Sequence, residues 1–144
     1  MSAWEQAFAS QMETLRARTG ERFEQAVRET IEPAFESMSS FVNQWQFQSS
    51  TPQTGEHRRN FKFALTEDCY VIVGWRFEGM DTLEFDYEYC VPVTGRVEGE
   101  RASASLRGLE RAWVESCFQR ALGAFAKHLV ATEVSEGAAE AMLV

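Results

Sequence analysis

CYVIVGWRFEGMDTLEFDYEYCV, residues 69–91, is the stretch from which the fold follows. Cys69, Val71, Val73, Trp75 and Phe77 alternate with Tyr70, Ile72, Gly74 and Arg76. After a short break, Leu83, Phe85, Tyr87, Tyr89 and Val91 alternate with Glu84, Asp86, Glu88 and Cys90. A period of two means a strand with one buried and one wet face. The break, Glu78–Thr82, is too short for a crossover, so the two strands run antiparallel. Pairing Phe77 with Leu83 sets Trp75 opposite Phe85 and Arg76 opposite Glu84. A one-residue slip would turn either strand inside out.

Working outward, Phe61, Phe63 and Leu65 alternate with Asn60, Lys62 and Ala64. Pairing Leu65 with Cys69 sets Phe63 opposite Val71 and Lys62 opposite Ile72. Phe41, Asn43, Trp45 and Phe47 alternate with Val42, Gln44, Gln46 and Gln48 and read as a further strand, the first of four. Past Pro92, Val93 and Val97 keep the parity of the last strand, and proline there implies a sheet edge. Residues 99–105 read as a loop, with Ser103 or Ser105 as the N-cap of a following helix.

The flanks have a different period. Trp4, Phe8, Met12 and Leu15, then Phe23, Val27 and Ile31, then Phe35 and Met38, recur every three or four residues, which predicts an amphipathic helix over 2–39. Gly20 weakens its interior, Pro33 predicts a kink or restart, and Ser39–Ser40 end it. Leu106, Leu109, Trp113, Cys117, Phe118, Leu122, Phe125 and Leu129 predict a second helix over 106–132, with Lys127 and His128 suited to its C-terminal end. Residues 133–144 read as a tail, frayed or briefly helical. The expected architecture is one α+β domain over 1–144: a two-layer sandwich in which a four-stranded antiparallel meander within 41–98 carries both helices on one face.

Composition excludes several classes. The chain has 144 residues, 44% of them hydrophobic, so it can bury a core without disulfide or metal. A net charge of −8 opposes a phosphate backbone, so no nucleic-acid partner is expected. Three cysteines, Cys69, Cys90 and Cys117, form no disulfide framework and fit a reducing compartment. MSAWEQAFAS lacks a basic n-region and an apolar core, and no apolar run is long enough to span a membrane. The expected location is the cytoplasm.

No residue pattern announces catalysis or a cofactor, and none is expected. Glu84, Asp86 and Glu88 lie about 6.6–6.8 Å apart along one strand face, too far to converge on one ion. They read as a charged edge protected from aggregation, or as part of a partner surface with Tyr70, Ile72 and Arg76. His57 and His128 stand far apart, and Cys90, which has the exposed parity, has no evident base beside it. Trp45, Trp75, Tyr87 and Tyr89 share the apolar sheet face, where they either fill a core or line a pocket under the helices. Buried tyrosines there need hydrogen-bond partners. Trp4 and Phe8, near the N-terminus, are the apolar residues a small sheet is least able to cover, and they mark a candidate dimer contact.

In size, acidity and α+β make-up with amphipathic terminal helices, the chain resembles type III secretion chaperones. Those proteins carry a helix between their third and fourth strands. Only Glu78–Thr82 fills that place here, so the chain is not assigned to that family and no residue is carried over. The expected function is protein binding, adaptor- or chaperone-like, by a non-catalytic homodimer. The alternative is a small-molecule binder with the aromatic pocket.

Overall fold

The computed structural model describes residues 2–52, 54–55 and 57–143, with side chains described through Val134. Helix α1 (Ala3–Ala26) runs through a π-helical turn (Val27–Ile31) into α2 (Glu32–Val42), and a 3-10 turn follows (Asn43–Trp45). Five strands come next: β1 (Gln48–Ser50), β2 (Arg58–Thr66), β3 (Cys69–Glu78), β4 (Thr82–Val91) and β5 (Gly95–Ser105). Helix α3 (Arg111–Leu143) ends the described chain. The sheet is an antiparallel meander in the order β1-β2-β3-β4-β5. The fold is α+β, with five strands rather than four.

The register follows the hydrophobic parity. Phe63 pairs with Val71, Lys62 with Ile72, Trp75 with Phe85, and Arg76 with both Arg58 and Glu84. Only the expected Leu65–Cys69 pair is displaced: a bulge between Ala64 and Thr66 sets Thr66 against Cys69. Phe61, Phe63, Val71, Val73, Trp75, Leu83 and Phe85 are buried beneath the helices, against Phe23, Val27, Ile31, Ala34, Val114, Phe118 and Phe125. The restart expected near Pro33 takes the form of the π-helical turn just before it, where the Glu32 amide donates to the Val27 carbonyl. Proline has no amide to continue the α ladder, and the longer π spacing absorbs the mismatch.

Four expectations are corrected. Phe41–Phe47 is not a strand, and of the expected stretch only Gln48 enters β1; α2 runs to Val42, and Phe41 and Trp45 meet edge to face at 5.3 Å across one helical turn. Residues i and i+4 share a face in a helix as well as in a strand, so their alternation was ambiguous. Extending a helix costs less than nucleating a new element, and the helix runs on through Ser39 and Ser40. The left-handed Gln46 (φ 66°) then turns the chain into the short β1.

The second correction concerns 92–105. Strand β4 does not continue past Pro92; Val93 (φ 73°) and Gly95 (φ 82°) reverse the chain, and Gly95–Ser105 returns as β5 rather than forming a loop. A bulge facing Asp86–Glu88 shifts the half-buried positions of β5 from Val97 and Gly99 to Ala102 and Ala104. One extra residue inverts the parity, which hides the strand from a period-two reading. Third, β4 lies between β3 and β5, so its acidic face is not a sheet edge. Fourth, α3 starts at Arg111 rather than at 106, after Gly108 (φ 70°). Ser105 caps no helix and bonds Asp81 instead. The helical backbone continues through most of the expected tail, to Leu143; the side chains of 135–144 lie outside the described residues.

Candidate interaction surfaces

The polar sheet face is built by parity. Tyr70, Ile72, Arg76, Glu84, Asp86 and Glu88 all lie half-buried on it. Each carboxylate of the β4 ladder meets an arginine. Arg58 grips Asp86 with two bonds, Nη2–Oδ1 at 2.7 Å and Nη1–Oδ2 at 3.1 Å, and its Nε donates to Asn60 Oδ1 at 2.9 Å. Arg76 Nε donates to Glu84 at 2.8 Å, and Arg96 pairs with Glu88 at 2.7 Å. The Lys62 ammonium sits 4.4 Å from the centre of the Tyr70 ring.

The Arg58–Asp86 pair crosses β3 over Gly74. A β-carbon there would overlap the guanidinium and come within 2.6 Å of Asp86 Oδ1. Glycine inside a strand often marks such a close approach, and it was the one sequence signal for this diagonal pair. A shallow cavity of about 240 Å³ opens on this face beside Arg58, Ile72, Asp86 and Arg101. Among the described residues, no group of histidine, cysteine or acidic side chains is placed to hold a metal ion.

Two carboxylates, Glu84 on this face and Asp81 at the β3–β4 turn, are acid-sensitive. The hydrogen bond from Arg76 holds the Glu84 carboxyl below its ordinary range, and the bond from Ser105 does the same for Asp81. A carboxyl lowered in the folded state stabilises above its unfolded pKa, about 4.3 for Glu, and that stability is lost as pH falls through the folded value. Urea midpoints are therefore expected to fall from about pH 5 to about pH 3. Glu84→Gln is expected to flatten that slope; an unchanged slope would rule Glu84 out as a source.

Trp45, Trp75, Tyr87 and Tyr89 do not gather around one cavity. Trp45 stands at the end of the helical segment, 55% exposed. Trp75 is fully buried, with Phe85, Phe118 and Trp113 ring centres at 5.2, 5.5 and 6.1 Å. Tyr87 packs over Gly99. The Tyr89 hydroxyl meets His128 Nδ1 at 2.9 Å, and the other ring nitrogen lies 3.4 Å from the Thr94 hydroxyl. That supplies the partner a buried tyrosine needs, and burial pushes the Tyr89 hydroxyl pKa up. His128 thus sits inside α3, bonded to the sheet rather than at a helix end. His57 is exposed and edge-on to Phe77 at 4.8 Å.

The second surface is the first half of α1. Ala3–Val42 is an almost unbroken helical path of about 60 Å, whereas a ten-residue strand spans about 33 Å. The excess emerges at the N-terminus. Thr19 is the first buried residue; its hydroxyl lies 2.9 Å from the Met80 carbonyl, at the β3–β4 turn. Before it, residues 2–18 form an arm along which only Ala9 and Met12 are even half-buried. Trp4 (71% exposed) stacks on Phe8 (47% exposed) with ring centres 5.3 Å apart, and Leu15 (42% exposed) continues the row. A capping box holds the tip: Glu5 N–H donates to Ser2 Oγ, and Ser2 N–H to the Glu5 carboxylate.

Compared with known proteins, the chain matches no family model, and neither a curated protein nor a solved structure is significantly similar to it. No helix among the described residues is long and apolar enough to cross a membrane.

Proposed function

We propose that this chain is a cytoplasmic protein-binding module, without catalytic chemistry of its own, that assembles as a homodimer. One observation carries the reading: α1 presents an ordered stripe of large apolar side chains, Trp4, Phe8 and Leu15, beyond the edge of its own fold. Such a stripe marks an association surface. An unpacked helical arm of only about four turns is marginal in water, so a covering chain would add the stability that the capping box supplies only in part. The polar sheet face supports the reading less, because its carboxylates already have arginine partners. Three free cysteines, two of them buried, suit a reducing compartment.

Native mass spectrometry of the untagged protein tests this. The expected result is an assembly heavier than the 16.4 kDa chain, returned to single-chain mass by Trp4→Asp/Phe8→Asp. Both sites are exposed, so the double variant should keep its circular dichroism and its melting temperature at dilution. An assembly indifferent to the double variant would overturn the role of the arm. A single-chain mass for the natural sequence would overturn the reading itself.

A further inference from the structure

We infer that the occupant of the arm is the arm of a second copy, running antiparallel about a two-fold axis on the stripe side of the helix, at the height of Ser10; this rests on the homodimer reading above. The apolar stripe of α1 repeats every eleven residues. Trp4 stands to Leu15 as Leu15 to Ala26, and Phe8 stands to Thr19 as Met12 to Phe23. Eleven residues make about three turns, so the stripe stays straight along the helix. Its second half, Thr19, Phe23 and Ala26, is buried on the body, and its first half continues the same face into solvent. The opposite side of the arm is small or polar: Ala3, Ala7, Ser10, Thr14 and Ala17.

The stripe is complementary to its own reverse. Antiparallel pairing centred at the height of Ser10 sets Trp4 against Leu15 of the other copy and Phe8 against Met12. Charge then selects this orientation. Glu5 and Arg16 directly follow Trp4 and Leu15, so they flank the stripe on the same side. A two-fold axis across the helices brings like flanks together in reverse order, which sets each Glu5 against the other copy's Arg16, twice over. Parallel pairing brings opposite flanks together and leaves Glu5 facing the side of Gln11 and Arg18, without a reciprocal pair. The capping box uses one Glu5 carboxylate oxygen, leaving the other to accept from Arg16. The four aromatic rings offer roughly 500 Å² of uncovered surface. Met12, Leu15 and the flanking stems extend the contact toward the roughly 1,000 Å² that a specific interface needs.

Charge exchange between two variants tests the arrangement. Glu5→Arg gives a chain with two arginines on this flank, and Arg16→Glu gives a chain with two glutamates. Sedimentation would be measured on the natural protein, on each variant and on their equimolar mixture, over about 1–100 μM. Each variant alone should dimerise about tenfold more weakly, because two reciprocal attractions become repulsions. The mixture should recover natural affinity, as a heterodimer. Loss of the capping box in Glu5→Arg is the same alone and in the mixture, so it cannot produce that recovery. A natural dimer whose variants gain nothing on mixing would overturn the antiparallel pairing and leave the homodimer reading standing. A natural protein that stays monomeric throughout would overturn both.

Discussion

Replacing Phe118 by alanine is expected to remove roughly 3–5 kcal/mol of stability, near the upper end for a single core truncation. Phe118 is fully buried on α3 and is the ring on which three elements converge. Its centre lies 5.9 Å from Phe61 and 6.2 Å from Phe63 on β2, 5.5 Å from Trp75 on β3, and 6.3 Å from Phe35 on α2. Alanine removes both the transfer energy of the ring and its contacts to neighbours that cannot all collapse inward. Small domains hold only about 5–15 kcal/mol in total, so the midpoint should drop by about 10–20 °C. Phe41→Ala, at a half-exposed ring near the end of α2, is the matched control and should change stability by under about 0.5 kcal/mol. Urea unfolding of both variants checks the contrast. A loss under about 1 kcal/mol for Phe118→Ala would mean that the three elements do not share one core.

The second large effect is expected at Gly99, with the opposite sign to strand propensity. At an ordinary strand position valine improves on glycine by up to about 1 kcal/mol. Here a β-carbon would come within 2.5 Å of Tyr87 Cζ and closer still to the ring edge. The ring cannot easily retreat, because Tyr87 is buried between Phe85 at 5.8 Å and Tyr89 at 6.5 Å. Gly99→Val is therefore expected to cost about 1–3 kcal/mol through overpacking. Adding Tyr87→Ala should make the double variant more stable than the sum of the two single effects predicts, since the clash is then gone. Strict additivity in denaturant melts would show that Gly99 and Tyr87 do not touch.

The central hairpin was legible in the sequence because two long strands, each buried on one face, leave almost no freedom of register. Trp75 could face Phe85, or the core would turn inside out. The same logic placed Tyr70, Ile72, Arg76, Glu84, Asp86 and Glu88 on one polar face. It did not reveal that Asp86 would be held from two strands away. That pair depends on the missing side chain at Gly74, and a glycine in a sequence does not say what crosses it. The leftover aromatics Trp4 and Phe8 were legible as a surplus of apolar residues, and they do stand exposed.

Where the reading failed, local pattern carried two meanings. Phe41 and Trp45 share a face in either period, and the choice fell to the helix already running into them. Strand β5 has few large apolar residues and a bulge that inverts its parity, so only pairing with β4 reveals it. The amino-acid sequence by itself determined the strand faces, the register of the hairpin and the helical stripes, because side-chain periodicity and burial act over a few residues. The tertiary structure alone decided the fifth strand, the arginine partners of Asp86 and Glu88, the Tyr89–His128 bond and the point where α1 leaves the sheet. Each of those is set by contacts between separate elements, and no period within one element encodes that.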